Sequence, residues 1–254
     1  MGAASRTEAD LRERLLAVMD QKHHGAFIHL TRPGLSRAQL AIHFRHELHT
    51  YVRDFPVLLA RVLGQGPPDD VRAALAENIY EEQTGKLSLG RPHPELFLVM
   101  MDGLGISRAA ISAADPPLEP EAIEYRAYLD RVSRAEPWFV GAAVLTIFVE
   151  GSIHERAELA GTRKLPPVDE QVRAHPMVAH YGCPEDHLLL VRAHRAVEGG
   201  HRLDAWRMIL SHVRAPSDAE LVVAAVEEAR ARWLRYRDGV ARAMGVSVEP
   251  SPPR

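Results

Sequence analysis

The chain has 254 residues, with one Cys, fourteen His, thirty-four Asp plus Glu and thirty-one Lys plus Arg. That length is ample for a buried core, and 46% hydrophobic with 26% charged residues excludes wholesale disorder. A single Cys excludes an intramolecular disulfide and any Cys-rich metal site, and a net charge of -3 gives no electrostatic case for nucleic-acid binding.

Helical spacing dominates from the start. Leu11, Leu15, Leu16, Val18 and Met19 recur with helical period after Thr7, a candidate cap. Ser36 can cap a second helix bearing Leu40, Phe44, Leu48, Tyr51 and Val52. Pro56 should kink or break it before Val57 to Leu63. Asp69 or Asp70 opens a third helix with Val71, Leu75 and Ile79, closing near Gly85. Pro94 suits the first turn of a helix through Leu96 to Met101, and a short helix is expected near Ser107. Pro120 begins another through Tyr128 and Val132. After Pro137, one long apolar helix is expected from Trp138 to about Leu159. A short helix leads to His180, a long one is expected from Pro184 to about Val213, and Ser217 should cap the last, with Leu221, Val226, Trp233 and Tyr236. No strand-like alternation persists. The pattern predicts one all-α domain of seven or eight helices over residues 1–245, with 246–254 a frayed tail. Met1 to Asp10 has no signal-peptide run, and the apolar stretch Trp138 to Val149 is too short to span a bilayer. The expectation is a cytoplasmic protein with no membrane and no nucleic-acid partner.

The fourteen imidazoles and thirty-four carboxylates can build an N/O metal site without sulfur. His194, Glu198 and His201 stand at i, i+4 and i+7, on one face of a helix. Composition alone yields roughly 0.1 such arrangement in a chain of this make-up; a solvated polar stripe is the competing account. Gly199 and Gly200 beside them each cost about 1 kcal/mol relative to Ala inside a helix. Close packing or ligand bonds would offset that cost, and a helix break is the rival explanation. Glu150 ends the apolar run FVGAAVLTIFVE, where a buried carboxylate needs a cation or a proton; an edge-of-stripe surface Glu is the alternative. His154, one turn on, is a competing ligand. Glu82 follows Asn78 by one turn and can face inward, with Glu81 as the alternative, and His93 precedes Pro94 at a helix start. A ferritin-like di-iron bundle would need two Glu-x-x-His motifs, and the sequence has one, Glu198 to His201.

The segment ENIYEEQTGKLSLGRPHPELFLVMMDGLG, the apolar helix ending at Glu150, HYG at His180 to Gly182, and HRAVEGGH resemble the haem-oxygenase-like di-iron oxidases and oxygenases. GLSRAQLAIHFRHELHTYVRDFP adds to the likeness, which runs roughly from Asp20 to Val213. The nearest groups are those of pyrroloquinoline-quinone synthase and chlamydial death-domain-associated protein. The resemblance implies a seven-helix bundle, often a homodimer. It also implies two Fe ions per chain held by Glu82, His93, Glu150, His194, Glu198 and His201, with no catalytic group beyond these ligands. O2 would be co-substrate in the oxidation, hydroxylation or cleavage of a small amino-acid-like or carboxylate substrate. Glu198 departs from the family's usual Asp. Asn78 and Asp204 could orient ligands, and Arg192 or Arg195 could hold a substrate carboxylate. Three rivals share the fold: a metal-free quinone-forming oxidase, a non-catalytic small-molecule-binding regulator, and a thiaminase-type enzyme, for which Cys183 is the one candidate thiol. A haem oxygenase would draw on His23, His24 or His29 and leave HRAVEGGH unexplained.

Overall fold

The computed structural model describes residues 3–249, without the side chains of residues 3–6 and of Glu198. Its elements are α1 (Ala3–Met19), α2 (Phe27–Leu30), α3 (Arg37–Glu47), a π segment (Leu48–Val52), α4 (Phe55–Leu63), α5 (Asp69–Thr84), α6 (His93–Gly103), α7 (Arg108–Ile111) and α8 (Pro120–Ala135). They continue as α9 (Trp138–Ala142), a second π segment (Ala143–Val149), α10 (Glu155–Leu159), α11 (Val168–Ala174), α12 (Pro176–Ala179), a 3-10 turn (Glu185–His187), α13 (Leu189–His212) and α14 (Pro216–Met244). Among the described residues there is no strand, and eight of the helices run nine residues or more. The all-α bundle expected from the sequence is therefore present.

Local chemistry explains most boundaries. Ser36 caps α3 with a reciprocal box: its side chain accepts from the Gln39 N–H, and the Gln39 side chain accepts from the Ser36 N–H. Pro56 opens α4 in its first turn, and Gly85 ends α5 in the left-handed conformation at φ 61°. Two expected caps are not caps. Thr7 lies inside α1, and Ser217 lies inside the first turn of α14, because Pro216, pre-set for helix, starts that element after Ala215.

The expected helix from Trp138 to Leu159 is three pieces. α-Geometry gives way to π geometry at Ala143, and the Glu150 N–H bonds the Leu145 carbonyl five residues back. Helix then stops at Gly151, where this path leaves no room for a side chain (a Cβ would sit 2.1 Å from the Ile147 carbonyl oxygen), and the chain runs irregularly to α10. Lys22, just past α1, secures the break. Its ammonium donates to the carbonyls of Phe148 (2.6 Å), Val149 (3.0 Å) and Gly151 (2.6 Å), groups that a helix end leaves without partners.

The main core joins Leu11, Leu15 and Met19 of α1, Leu59 and Val62 of α4, Leu129 and Val132 of α8, Phe148, Ile209 of α13, and Val226 and Tyr236 of α14. A second cluster joins Leu40 and Phe44 of α3, Phe97 and Met101 of α6, Val172 and Cys183. α13 packs against α5, α6 and the second π segment, so polar groups on those four elements can meet in one place. At the C-terminal end, Val246 packs on the main core and the Ser247 carbonyl accepts from His29 Nε2 at 2.9 Å. Residues 250–254 lie outside the described residues. No described helix is long and apolar enough to cross a membrane.

Candidate metal centre

α5 ends with Glu81 and Glu82, both buried. The chain then folds back sharply, which Gly85 permits: at φ 61° a Cβ would also lie 2.0 Å from the Arg91 carbonyl oxygen. That reversal returns His93, the first residue of α6, to the two carboxylates. His93 Nε2 donates to Glu81 Oε1 at 3.2 Å. Glu81 is held in turn by the Leu87 N–H (2.7 Å) and the Ser88 hydroxyl. This bond fixes the tautomer of a neutral His93, leaving the Nδ1 lone pair free. Nδ1 lies 2.8 Å from Glu82 Oε1, off the hydrogen-bond direction, and is a buried atom without a hydrogen-bond partner.

His194 comes in from α13, its ring centroid 5.0 Å from that of His93. Ligand atoms of Glu82, His93 and His194 all lie within 4.8 Å of one another. Two imidazoles and a carboxylate at this separation suit Fe, Mn or Zn. The same atoms would compete for protons in the absence of a cation. Burial opposes a charged His93, but Glu82 and Glu81 outweigh it and hold its pKa above the usual value. Burial works against a charged Glu81 as well, yet the Ser88, Leu87 and His93 bonds keep its carboxyl below the usual range.

These groups open on a cavity of about 190 Å³ lined by Glu82, His93, Glu150, His194, His201 and Arg202 on its polar side. Val52, Phe55, Val149, Leu190 and Val197 form the apolar side. Glu150 receives Asn78 Nδ2 on both oxygens, at 3.1 and 3.3 Å. His201 Nε2 is a second buried ring nitrogen without a hydrogen-bond partner. Five of the six residues carried over by resemblance therefore line one cavity, and the side chain of Glu198 lies outside those described. Two orphaned imidazole nitrogens beside carboxylate oxygens fit a cationic group.

Other expectations fall elsewhere. His154 is exposed and lines a neighbouring cavity. Asp204 pairs with Arg207 at 2.7 Å. Arg192 pairs with Asp169 at 2.6 Å and Arg195 is exposed. Neither arginine lines the cavity; Arg202, held by Glu155 at 2.9 Å and by Glu158, does. Cys183 is buried in the second core cluster, and burial pushes its thiol up to about 11, opposite to an activated nucleophile. Gly199 and Gly200 lie in unbroken helix, and a Cβ on either would meet nothing within 4 Å. The close packing expected there is absent. Glu81 is the group that sequence reading leaves undecided, because neighbouring positions on a helix differ by about 100° and only the fold-back of His93 assigns them.

A family model described as an iron-containing redox enzyme matches residues 42–236. No curated protein matches the chain. Two crystal structures share its architecture. One is a TenA homolog from Pseudomonas syringae pv. tomato, 14% identical, covering 95% of this chain and 96% of that one with a TM-score of 0.66. The other is a CADD-like protein of unknown function from Nostoc punctiforme, also 14% identical, covering 93% and 95% with a TM-score of 0.61. At that identity the likeness speaks to the fold, which is haem-oxygenase-like.

Proposed function

The chain belongs to the iron-containing redox enzyme family, and from that premise we propose that it is a di-iron oxidase or oxygenase acting on a small organic substrate. Glu82, His93 and His194 would hold one iron, and Glu150, Glu198 and His201 the other. Glu198 enters through the sequence motif alone. The observation that carries the reading is His93: one ring nitrogen is fixed by buried Glu81, while the other faces Glu82 Oε1 at 2.8 Å without making a hydrogen bond, beside His194. Metal-ligating imidazoles are commonly oriented in this way by a carboxylate.

Iron bound there would supply the electron transfer by which O2 oxidises the substrate. The protein's own part is positioning and exclusion. Asn78 fixes the Glu150 carboxylate from behind. Thr146 has its hydroxyl engaged with the Ala142 carbonyl at 2.8 Å, so it presents mainly its methyl face. Val52, Phe55, Leu190 and Val197 keep bulk water from the reacting substrate. A homodimer, which the sequence resemblance implies, is proposed as well.

Anaerobic titration with Fe(II), followed by metal analysis of the washed protein, tests the reading. Wild type should retain about two irons per chain. His93→Ala and Glu150→Ala should each retain about one or fewer. If both variants retain as much iron as wild type, the ligand assignment is wrong.

A further inference from the structure

A second cavity, of about 330 Å³, adjoins the first and shares Tyr51, Val149 and Gly151 with it. Its remaining walls include Phe27, Tyr125, Trp233, Lys22 and Arg237. Arg237 is 5% exposed, and a guanidinium keeps its charge even there. Its Nη2 donates to Glu47 Oε1 at 2.6 Å and to the Tyr51 hydroxyl at 3.1 Å. Its Nε and Nη1 have no hydrogen-bond partner. The guanidinium carbon lies 4.8 Å from the Phe27 ring centroid and 5.2 Å from that of Trp233, so aromatic faces hold the group in place.

Buried donors of this kind are ordinarily satisfied. An acceptor is therefore expected, and a carboxylate is the acceptor that a guanidinium pairs with best. Lys22 has its protons engaged by three backbone carbonyls, whereas Arg237, on the same cavity wall, has two buried donor nitrogens that meet no acceptor. Tyr51, bonded to Arg237 and lining both cavities, stands where a bound molecule would pass from one to the other.

We propose that the second cavity seats the carboxylate of the substrate on Arg237, with Phe27, Tyr125 and Trp233 flanking an apolar or aromatic body that reaches toward the first cavity. The substrate class is then a monocarboxylate whose oxidised carbon lies at the end away from the carboxylate. This rests on the reading of the first cavity as the metal centre, but the seat itself can be tested without metal.

Isothermal titration calorimetry of metal-free protein with phenylacetate, 4-phenylbutyrate and hexanoate, each beside its neutral amide, supplies the test. At least one acid should bind, and its amide should bind about tenfold more weakly or worse. Arg237→Lys keeps the charge opposite Glu47 but withdraws the Nε and Nη1 donors. It should weaken the acid by about tenfold and leave the amide unchanged. Glu47→Gln/Arg237→Gln removes the ion pair as a unit and should behave alike, with circular dichroism melting confirming that both variants fold. Acid and amide binding equally, or no acid binding below about 10 mM, or full binding to folded variants, would overturn the seat. Selective acid binding in a chain that takes up no iron would keep the seat and remove the metal reading. Iron uptake without acid binding would do the reverse.

Discussion

At the scale of single residues, the centre depends on a division of labour between adjacent carboxylates. Glu82 faces the space shared with His93 and His194, whereas Glu81 turns to the far side of the same imidazole. Replacing Glu81 by Gln keeps one acceptor oxygen, turns the other into an NH2 that faces either the Leu87 N–H or the Ser88 and His93 donors, and removes the negative charge beside His93. Iron affinity should fall by about tenfold or more, read by competition with a chelator of known strength, and the melting temperature should fall with it because one buried donor loses its acceptor. A melting change without a change in affinity would make Glu81 a folding residue only. His194, Glu198 and His201 stand out in the sequence because their spacing on one helix is regular, whereas Glu82, His93 and Glu150 join them as a set only through the family resemblance. The role of Glu81 is not legible there, since it depends on a loop reversal at Gly85 that brings α6 back onto α5.

At the scale of elements, signals carried within a few residues read well. The Ser36 box, the Gly85 stop and the proline starts of α4, α6 and α8 are local chemistry, and they stand where the sequence put them. Departures arise where tertiary packing decides. Nothing in AVLTIFV distinguishes α from π geometry, and the break after Glu150 is secured from another helix by Lys22. α13 gives a sharper case. Its paired glycines have open space around them, so neither packing nor crowding explains them. Gly199→Ala/Gly200→Ala should therefore stabilise the chain by about 1–2 kcal/mol in urea unfolding with iron uptake unchanged. A loss of stability would show that this stretch of α13 needs its freedom.

At the scale of the whole molecule, buried titratable groups set the response to acid. His43 sits beside Glu47, His46 and Arg237, and burial, with Arg237 and His46 adding to it against Glu47, lowers its pKa to about 4. The unfolded chain binds that proton near 6.5, so below 6.5 the unfolded state holds more protons than the folded one. The associated stability is present above 6.5 and is lost as pH falls toward about 4, amounting to roughly 3 kcal/mol. Glu47, whose pKa is lowered by His43 and Arg237 against the effect of burial, loses stability in the same direction. Denaturant unfolding at neutral and mildly acidic pH should show this slope, and His43→Leu should flatten it. An unchanged slope in that variant would assign the acid sensitivity elsewhere.

The π segment before Glu150 also bears on how the length of such a chain can vary. A stretch bonded five residues back contains one residue more than an α-helix joining the same two ends. Ala143–Val149 is thus the structural equivalent of an insertion. Deleting one residue such as Val144 would let α-geometry join the same two ends, so Glu150 would keep its place at the cavity while the residues before it change the faces they present. Among related genes, this stretch can therefore differ in length by a single codon while the glutamate beyond it keeps its place.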